Sequence, residues 1–180
     1  MSRELSVRRV FESLQAGTDK FQHGYAPVYA FLPAYAITSV FEIGVDKGYS
    51  LAAWADIFPN AVVHGIDTDP KVHGDIITTP RITYETADVR TYDPAGRMWD
   101  LIIDDCLHDL DTISVAWYRF HSHFRVAYII EDVRPEIMMQ IYELVTSTYP
   151  DLQVILWKTS NYKGDASFTH SDSHCMIVRR

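Results

Sequence analysis

Two cysteines in 180 residues, Cys106 and Cys175, exclude a disulfide framework and a cysteine-built zinc site, and fit a reducing cytoplasmic setting. No apolar run approaches the roughly 20 residues needed to span a bilayer. Met1-Ser2-Arg3-Glu4 leads into no apolar signal core, so neither membrane nor export signal is expected. Positive charge is scarce as well. Sixteen Lys and Arg stand against 24 Asp and Glu, a net charge of −8, which argues against a broad phosphate-neutralising surface and hence against a nucleic-acid partner. Glycine and proline are sparse and scattered, with no repeat, low-complexity tract or interdomain linker. A chain of this length fits one α/β domain over residues 1–180, with 1–38 as an N-terminal helical cover.

The richest stretch runs from Val40 to Pro70. Val40-Phe41-Glu42-Ile43-Gly44-Val45 reads as a buried parallel strand, and Gly44 and Gly48 bracket a turn that lets backbone approach a ligand. Leu51 to Phe58 has helical spacing, stopped by Pro59-Asn60. Val62 to Ile66 returns as a strand ending on Asp67, where an open α/β sheet commonly holds the hydroxyls of a ribose. A dinucleotide fold requires G-x-G-x-x-G to cradle a pyrophosphate. Here the pattern is Glu42-x-Gly44-x-x-x-Gly48 with Asp46 in the loop, and carboxylates at that turn suit an ammonium rather than phosphate. S-adenosylmethionine carries an ammonium, a sulfonium and a ribose. The segment resembles the first two motifs of class I S-adenosylmethionine-dependent methyltransferases. That resemblance implies a single Rossmann-like, doubly wound, mostly parallel sheet with an antiparallel closing strand. The cofactor residues expected are Glu42, Gly44, Gly48, Tyr49, Ser50, Asp67, Asp88 and Asp104.

The rest of the chain alternates accordingly. Helices are predicted over 3–15, within 25–35, over 110–124 and over 134–148 with Pro135 in the first turn; strands over 82–85, 99–104, 126–130, 152–157 and 175–178. Tyr25, Tyr29, Phe31 and Tyr35 suit the core, with a dimer face as the other possibility.

Two acidic clusters close consecutive strands: Asp104-Asp105 after Ile103, and Glu131-Asp132 after Ile130. On adjacent parallel strands, Asp105, Glu131 and Asp132 project from one edge, and three carboxylates there call for a positive partner. A hard divalent ion such as Mg²⁺ meets that need, although each acid alone also suits a helix cap or an arginine pair. His108, three residues past Asp105, sits where a general base for a metal-polarised hydroxyl belongs. The other histidines His64, His73, His121, His123, His170 and His174 read as structural.

The chain also resembles a narrower family, the metal-dependent O-methyltransferases that act on macrolide sugars. The matching segments are Ile103-Asp104-Asp105-Cys106-Leu107-His108, Ile130-Glu131-Asp132, Asp19-Lys20-Phe21-Gln22-His23-Gly24-Tyr25 with Tyr29, and Ser50 to Trp54 through Phe58-Pro59-Asn60-Ala61. The resemblance implies Mg²⁺ on Asp105, Glu131 and Asp132, His108 as base, Asp67 on the ribose and Asp88 near the adenine. It implies methyl transfer to a hydroxyl of a small molecule, with a glycoside in natural product biosynthesis among the candidates and a homo-oligomer as one option. Cys106-Leu107 replaces the family's Gly-Ser, and His123-Phe124-Arg125 stands where a Pro-Gly-Gly turn is usual. Catechol-type O-methyltransferases share the first turn but tend to Asp-Asn where this chain has Glu131-Asp132. The shortness and the altered loop also suit a non-catalytic S-adenosylmethionine-binding protein. A nucleic-acid methyltransferase lacks its Asn/Asp-Pro-Pro-Tyr-like motif here. The segment from Asn161 to His174 suits a loop near the acceptor or a plain surface hairpin.

Overall fold

In the computed structural model, residues 2–33, 36–77, 79–158 and 174–179 are described. Two helices lead in, α1 (Arg3–Ser13) and α2 (Ala26–Phe31), followed by β1 (Ser39–Ile43), α3 (Tyr49–Ile57), β2 (Val62–Asp67) and β3 (Ile82–Thr86). The second half comprises β4 (Trp99–Asp104), α4 (Leu110–Phe120), β5 (Phe124–Ile130), α5 (Pro135–Thr148), β6 (Gln153–Lys158) and β7 (His174–Arg179). The strands form one seven-stranded sheet in the order β3-β2-β1-β4-β5-β7-β6. β3 through β5 are parallel, and β7 runs antiparallel to both β5 and β6.

Burial explains the order. Every residue of β4 is buried, as a strand covered on both faces requires, whereas β3, at the edge, is exposed at four of its five positions. Alternation along the strands feeds two cores. Val40, Leu101, Ile103 and Ile129 face α1, α2 and α3, where Phe11, Tyr29 and Trp54 stack edge to face or tilted. Phe41, Ile102, Tyr128 and Ile130 face α4 and α5, with Trp99, Trp117 and Phe120. Ser2 caps α1 by accepting from Leu5 N–H at 3.3 Å, and Asp109 caps α4 by accepting from Thr112 N–H at 2.8 Å.

Most boundaries fall within two residues of the sequence pattern; the one between α4 and β5 differs most. α4 ends at Phe120 rather than 124, and β5 begins at Phe124, two residues earlier than expected. Phe120 and Phe124 stand four apart and mimic one more helical turn. Instead His123 N–H closes a turn on the Phe120 carbonyl, and Phe124 pairs with Trp99 in the sheet. Tyr25 and Tyr29 are fully buried, while Phe31 is 47 % exposed beside Trp157. His64 bonds Thr83 and Glu85, and His123 bonds the Arg97 carbonyl. Tyr35, His170 and the span 161–173 lie outside the described residues. Among the described residues no helix is long and apolar enough to cross a membrane.

Candidate active site

The parallel strands end at one edge, and the order reverses between β1 and β4. That switch point is where an open α/β sheet leaves a crevice. The turn after β1 is tightly made. Gly44 (φ +93°) donates to the Ile66 carbonyl at 2.9 Å, and a Cβ there would collide with the backbone oxygen of Asp105. Gly48 (φ +83°) precedes α3 in left-handed conformation. Asp67, at the end of β2, grips the turn from beside it: one oxygen accepts from Val45 N–H (2.8 Å) and Asp46 N–H (3.0 Å), the other from Asp69 N–H (2.8 Å). Burial works to raise the Asp67 pKa, but these backbone donors outweigh it and hold the carboxyl below its usual value.

Two cavities meet at this turn. The larger, about 400 Å³, lies between the loop after α1 (Gly17, Thr18, Asp19) and Tyr49 and Ser50 at the start of α3. The smaller, about 230 Å³, is lined by Asp88, Val89 and Leu107 among others. Gly44, Asp67 and Asp105 line both. The pair suits the two halves of an adenosyl amino acid: a polar half at the acidic turn and an aromatic half between Val89 and Leu107.

Of the residues expected to hold a cofactor, Gly44, Tyr49, Ser50, Asp67 and Asp88 therefore line the crevice. Glu42 and Asp104 lie beneath it, fully buried on opposite faces of the sheet. Burial lifts the Glu42 pKa to about 7, partly countered by Lys20, and Glu42 accepts from Ser50 Oγ at 2.7 Å. Burial likewise lifts Asp104 to about 6, against hydrogen bonds from Cys106 Sγ (2.8 Å) and Tyr128 Oη (3.2 Å). The Cys106 thiol turns inward to donate to Asp104, and burial and Asp104 push its pKa well up.

Beside Asp105 lie the other acids. β4 and β5 pair in register, Asp104 opposite Ile130, so Asp105, Glu131 and Asp132 emerge side by side. Donor atoms of Asp105, His108 and Asp132 lie within 4.8 Å of one another, and His108, 32 % exposed, directs Nε2 at Asp132 Oδ2 (3.8 Å). The two carboxylates offer the oxygen ligands that a hard divalent cation takes, and the imidazole stands beside them. Glu131 is engaged elsewhere: it pairs with the Lys20 ammonium and accepts from Tyr29 Oη.

The residues that sequence reasoning left without a role come from the N-terminal segment. Lys20 pairs with Asp105 Oδ2 at 2.7 Å as well as with Glu131. Burial would lower the Lys20 pKa, but Asp105, Glu131 and Glu42 outweigh it and hold the ammonium charged. Tyr25 Oη donates to Asp132 Oδ1 (2.7 Å) and accepts from Asp132 N–H (2.9 Å); His23 Nδ1 stands 3.3 Å from the same Oδ1. Burial raises Asp132, but His23 and Tyr25, with His108 beyond them, bring it below its ordinary value. These contacts hold Asp132 at φ +48°, a conformation rare for a residue with a Cβ. The signal available beforehand was the motif Asp19-Lys20 to Tyr25 with Tyr29; its spacing alone says nothing of what it touches.

The strand order, the antiparallel seventh strand and the paired cavities at the switch point define the class I S-adenosylmethionine-dependent methyltransferase fold. Solved structures agree. The plantazolicin methyltransferase BpumL, in complex with a monoazolic desmethylPZN analog and SAH, superposes with a TM-score of 0.65 at 12% identity over 99% of this chain and 96% of that one. MycE from the mycinamycin biosynthetic pathway, in complex with Mg, SAH and mycinamycin VI, gives 0.70 at 19% identity over 99% of this chain and 55% of that one, so this chain spans about half its length. Fibrillarin of Aeropyrum pernix, with S-adenosyl-L-methionine, gives 0.58 at 16% identity over 83% and 69%. No protein-family model and no curated protein matches the sequence.

Proposed function

We propose that this protein is an S-adenosylmethionine-dependent O-methyltransferase that methylates a hydroxyl of a small-molecule acceptor, such as a glycoside, with the help of Mg²⁺. One observation carries the reading: Asp105 lines both halves of the cofactor crevice and also belongs to the acid–histidine cluster. A methyl donor in the crevice and an acceptor at the cluster are therefore neighbours. MycE, which shares the fold, was crystallised with Mg, SAH and mycinamycin VI.

Asp67 keeps acceptor capacity beyond its three backbone contacts and takes the ribose hydroxyls; Asp88 borders the adenine half. The acidic turn around Asp46 receives the ammonium of the amino-acid tail. Asp105 and Asp132, with Glu131 once released from Lys20, would hold the metal, which would supply the positive charge that lowers the acceptor's pKa. His108 Nε2 takes the hydroxyl proton, and Asp132 at 3.8 Å steadies the imidazolium that results. The remaining task is alignment of acceptor oxygen and methyl carbon, which the rigid strand ends provide. Leu107, 65 % exposed on the rim of the smaller cavity, offers an apolar contact for the acceptor.

The test is conversion of S-adenosylmethionine to S-adenosylhomocysteine over a panel of glycosides and catechols, with and without chelator. Mg²⁺-dependent turnover abolished by Asp105→Ala is expected. A second reading, a binding protein without catalysis, draws support from Lys20, whose ammonium already pairs with both Asp105 and Glu131. Tight S-adenosylhomocysteine binding with no turnover on any acceptor would favour it.

A further inference from the structure

The acid cluster contains one more charge than the proposed reaction uses. Lys20 is 1 % exposed, and its ammonium lies between Asp105 Oδ2 and Glu131 Oε2. A divalent ion held by Asp105, Glu131 and Asp132 needs those same oxygens. Two cations sharing this carboxylate pair, of which Glu131 is buried and Asp105 partly so, repel each other strongly where little water screens them. The ammonium also has somewhere to go. Glu42 Oε1 stands 3.9 Å from Lys20 Nζ and is fully buried, with the Trp54 indole as the other donor beside the carboxylate; its sister oxygen is occupied by Ser50. The Trp54 ring, its centroid 5.4 Å from Nζ, offers a further cation-binding face.

We propose that Lys20 is a resident counter-ion that competes with a divalent cation for Asp105 and Glu131, and that it steps onto Glu42 Oε1 when the cation binds. The proposal rests on reading the cluster as a divalent-ion site. Lys20 offsets part of the cluster's negative charge, on Asp105 and Glu131, until a dication replaces it. A lysine is suited to this, being a compact charge on a flexible stem that re-aims without disturbing the backbone. Lys20 is thus a positioning residue that sets both the strength of metal binding and whether Glu131 is free to join.

Mn²⁺ serves as the probe, its free-ion electron paramagnetic resonance signal reporting occupancy in the full chain, in Lys20→Met and in Glu42→Gln. S-adenosylhomocysteine binding is measured alongside by calorimetry. Competition predicts that Lys20→Met binds Mn²⁺ about tenfold tighter than wild type, within the usual span for coupled sites, and that Glu42→Gln binds it more weakly because the displaced ammonium has lost its receiver. Equal affinity in wild type and Lys20→Met overturns the competition. So does an absence of Mn²⁺ binding by both at millimolar concentration. Equal or tighter binding by Glu42→Gln overturns the step onto Glu42. Should Lys20→Met fold only with metal, thermal melts decide: a larger Mn²⁺-induced rise than in wild type supports competition, and an equal rise or failure to fold even with Mn²⁺ overturns it. Loss of the methyltransferase reading shows separately, as wild-type protein that binds no S-adenosylhomocysteine.

Discussion

Replacing Gly44 by alanine tests whether the crevice is built as described, because two costs at that position can be separated by two other glycines. Gly44 has φ +93°, and a Cβ there would run into the backbone oxygen of Asp105. Gly96 has φ +70° but open space around it, and Gly74 has open space and no such φ. Gly74→Ala is therefore expected to leave stability within about 0.5 kcal/mol of wild type. Gly96→Ala bears the left-handed conformation alone, about 1–2 kcal/mol. Gly44→Ala bears that plus displacement of a backbone carbonyl, which no rotamer change relieves, so roughly 3 kcal/mol or more is expected. At about 2–4 °C per kcal/mol for a domain of this size, the melting temperature falls by about 6–12 °C, against a few degrees for Gly96→Ala. Moving the Asp105 carbonyl also distorts the lining shared by both cavities, so S-adenosylhomocysteine affinity measured by calorimetry should fall in Gly44→Ala and in neither control. A Gly44→Ala protein that melts with Gly96→Ala and binds the ligand like wild type would refute the close approach of β1 and β4 on which the site depends.

Other consequences are open to direct measurement. Tyr25→Phe removes a buried hydroxyl that both donates to and accepts from Asp132, leaving that residue's N–H unpaired; urea denaturation should show a loss of about 1–3 kcal/mol. Asp100 accepts from Thr38 N–H and Oγ1, Ser39 N–H and Arg125, and although burial works to raise its pKa, these donors hold it low. A depressed carboxyl contributes stability that is present above its ordinary value near 4 and is lost as pH falls through the folded-state value, so Asp100→Asn should flatten the acid side of the stability–pH curve. His108→Asn should cut turnover by about 10²–10⁴ while S-adenosylhomocysteine affinity stays unchanged, since the imidazole lines neither cavity. An equal loss of binding would place His108 in the cofactor crevice instead.

Much of the architecture was legible in the sequence, because hydrophobic period and turn chemistry are local. The apolar run Trp99 to Asp104 marked a buried strand, and Gly44 and Gly48 marked a turn, at which the structure gives both a positive φ. Asp67 and Asp105 could be placed at strand ends by counting, since parallel strands joined by crossovers present their carboxyl ends together. The limit of the α4 helix could not, because Phe124 satisfies helical and strand patterns alike and only pairing with Trp99 chose between them.

What tertiary structure alone decided is how the acids are balanced. Lys20, 85 residues from Asp105 and 111 from Glu131 along the chain, meets both because the segment between α1 and α2 folds across the sheet edge. Tyr25 and Tyr29 read from sequence as core aromatics; they are buried, yet their hydroxyls are spent on Asp132 and Glu131. Local pattern records which side chains must leave water. It does not record which charge each will meet inside, because that depends on contacts between segments far apart in the chain, and the low-dielectric interior makes those contacts decisive.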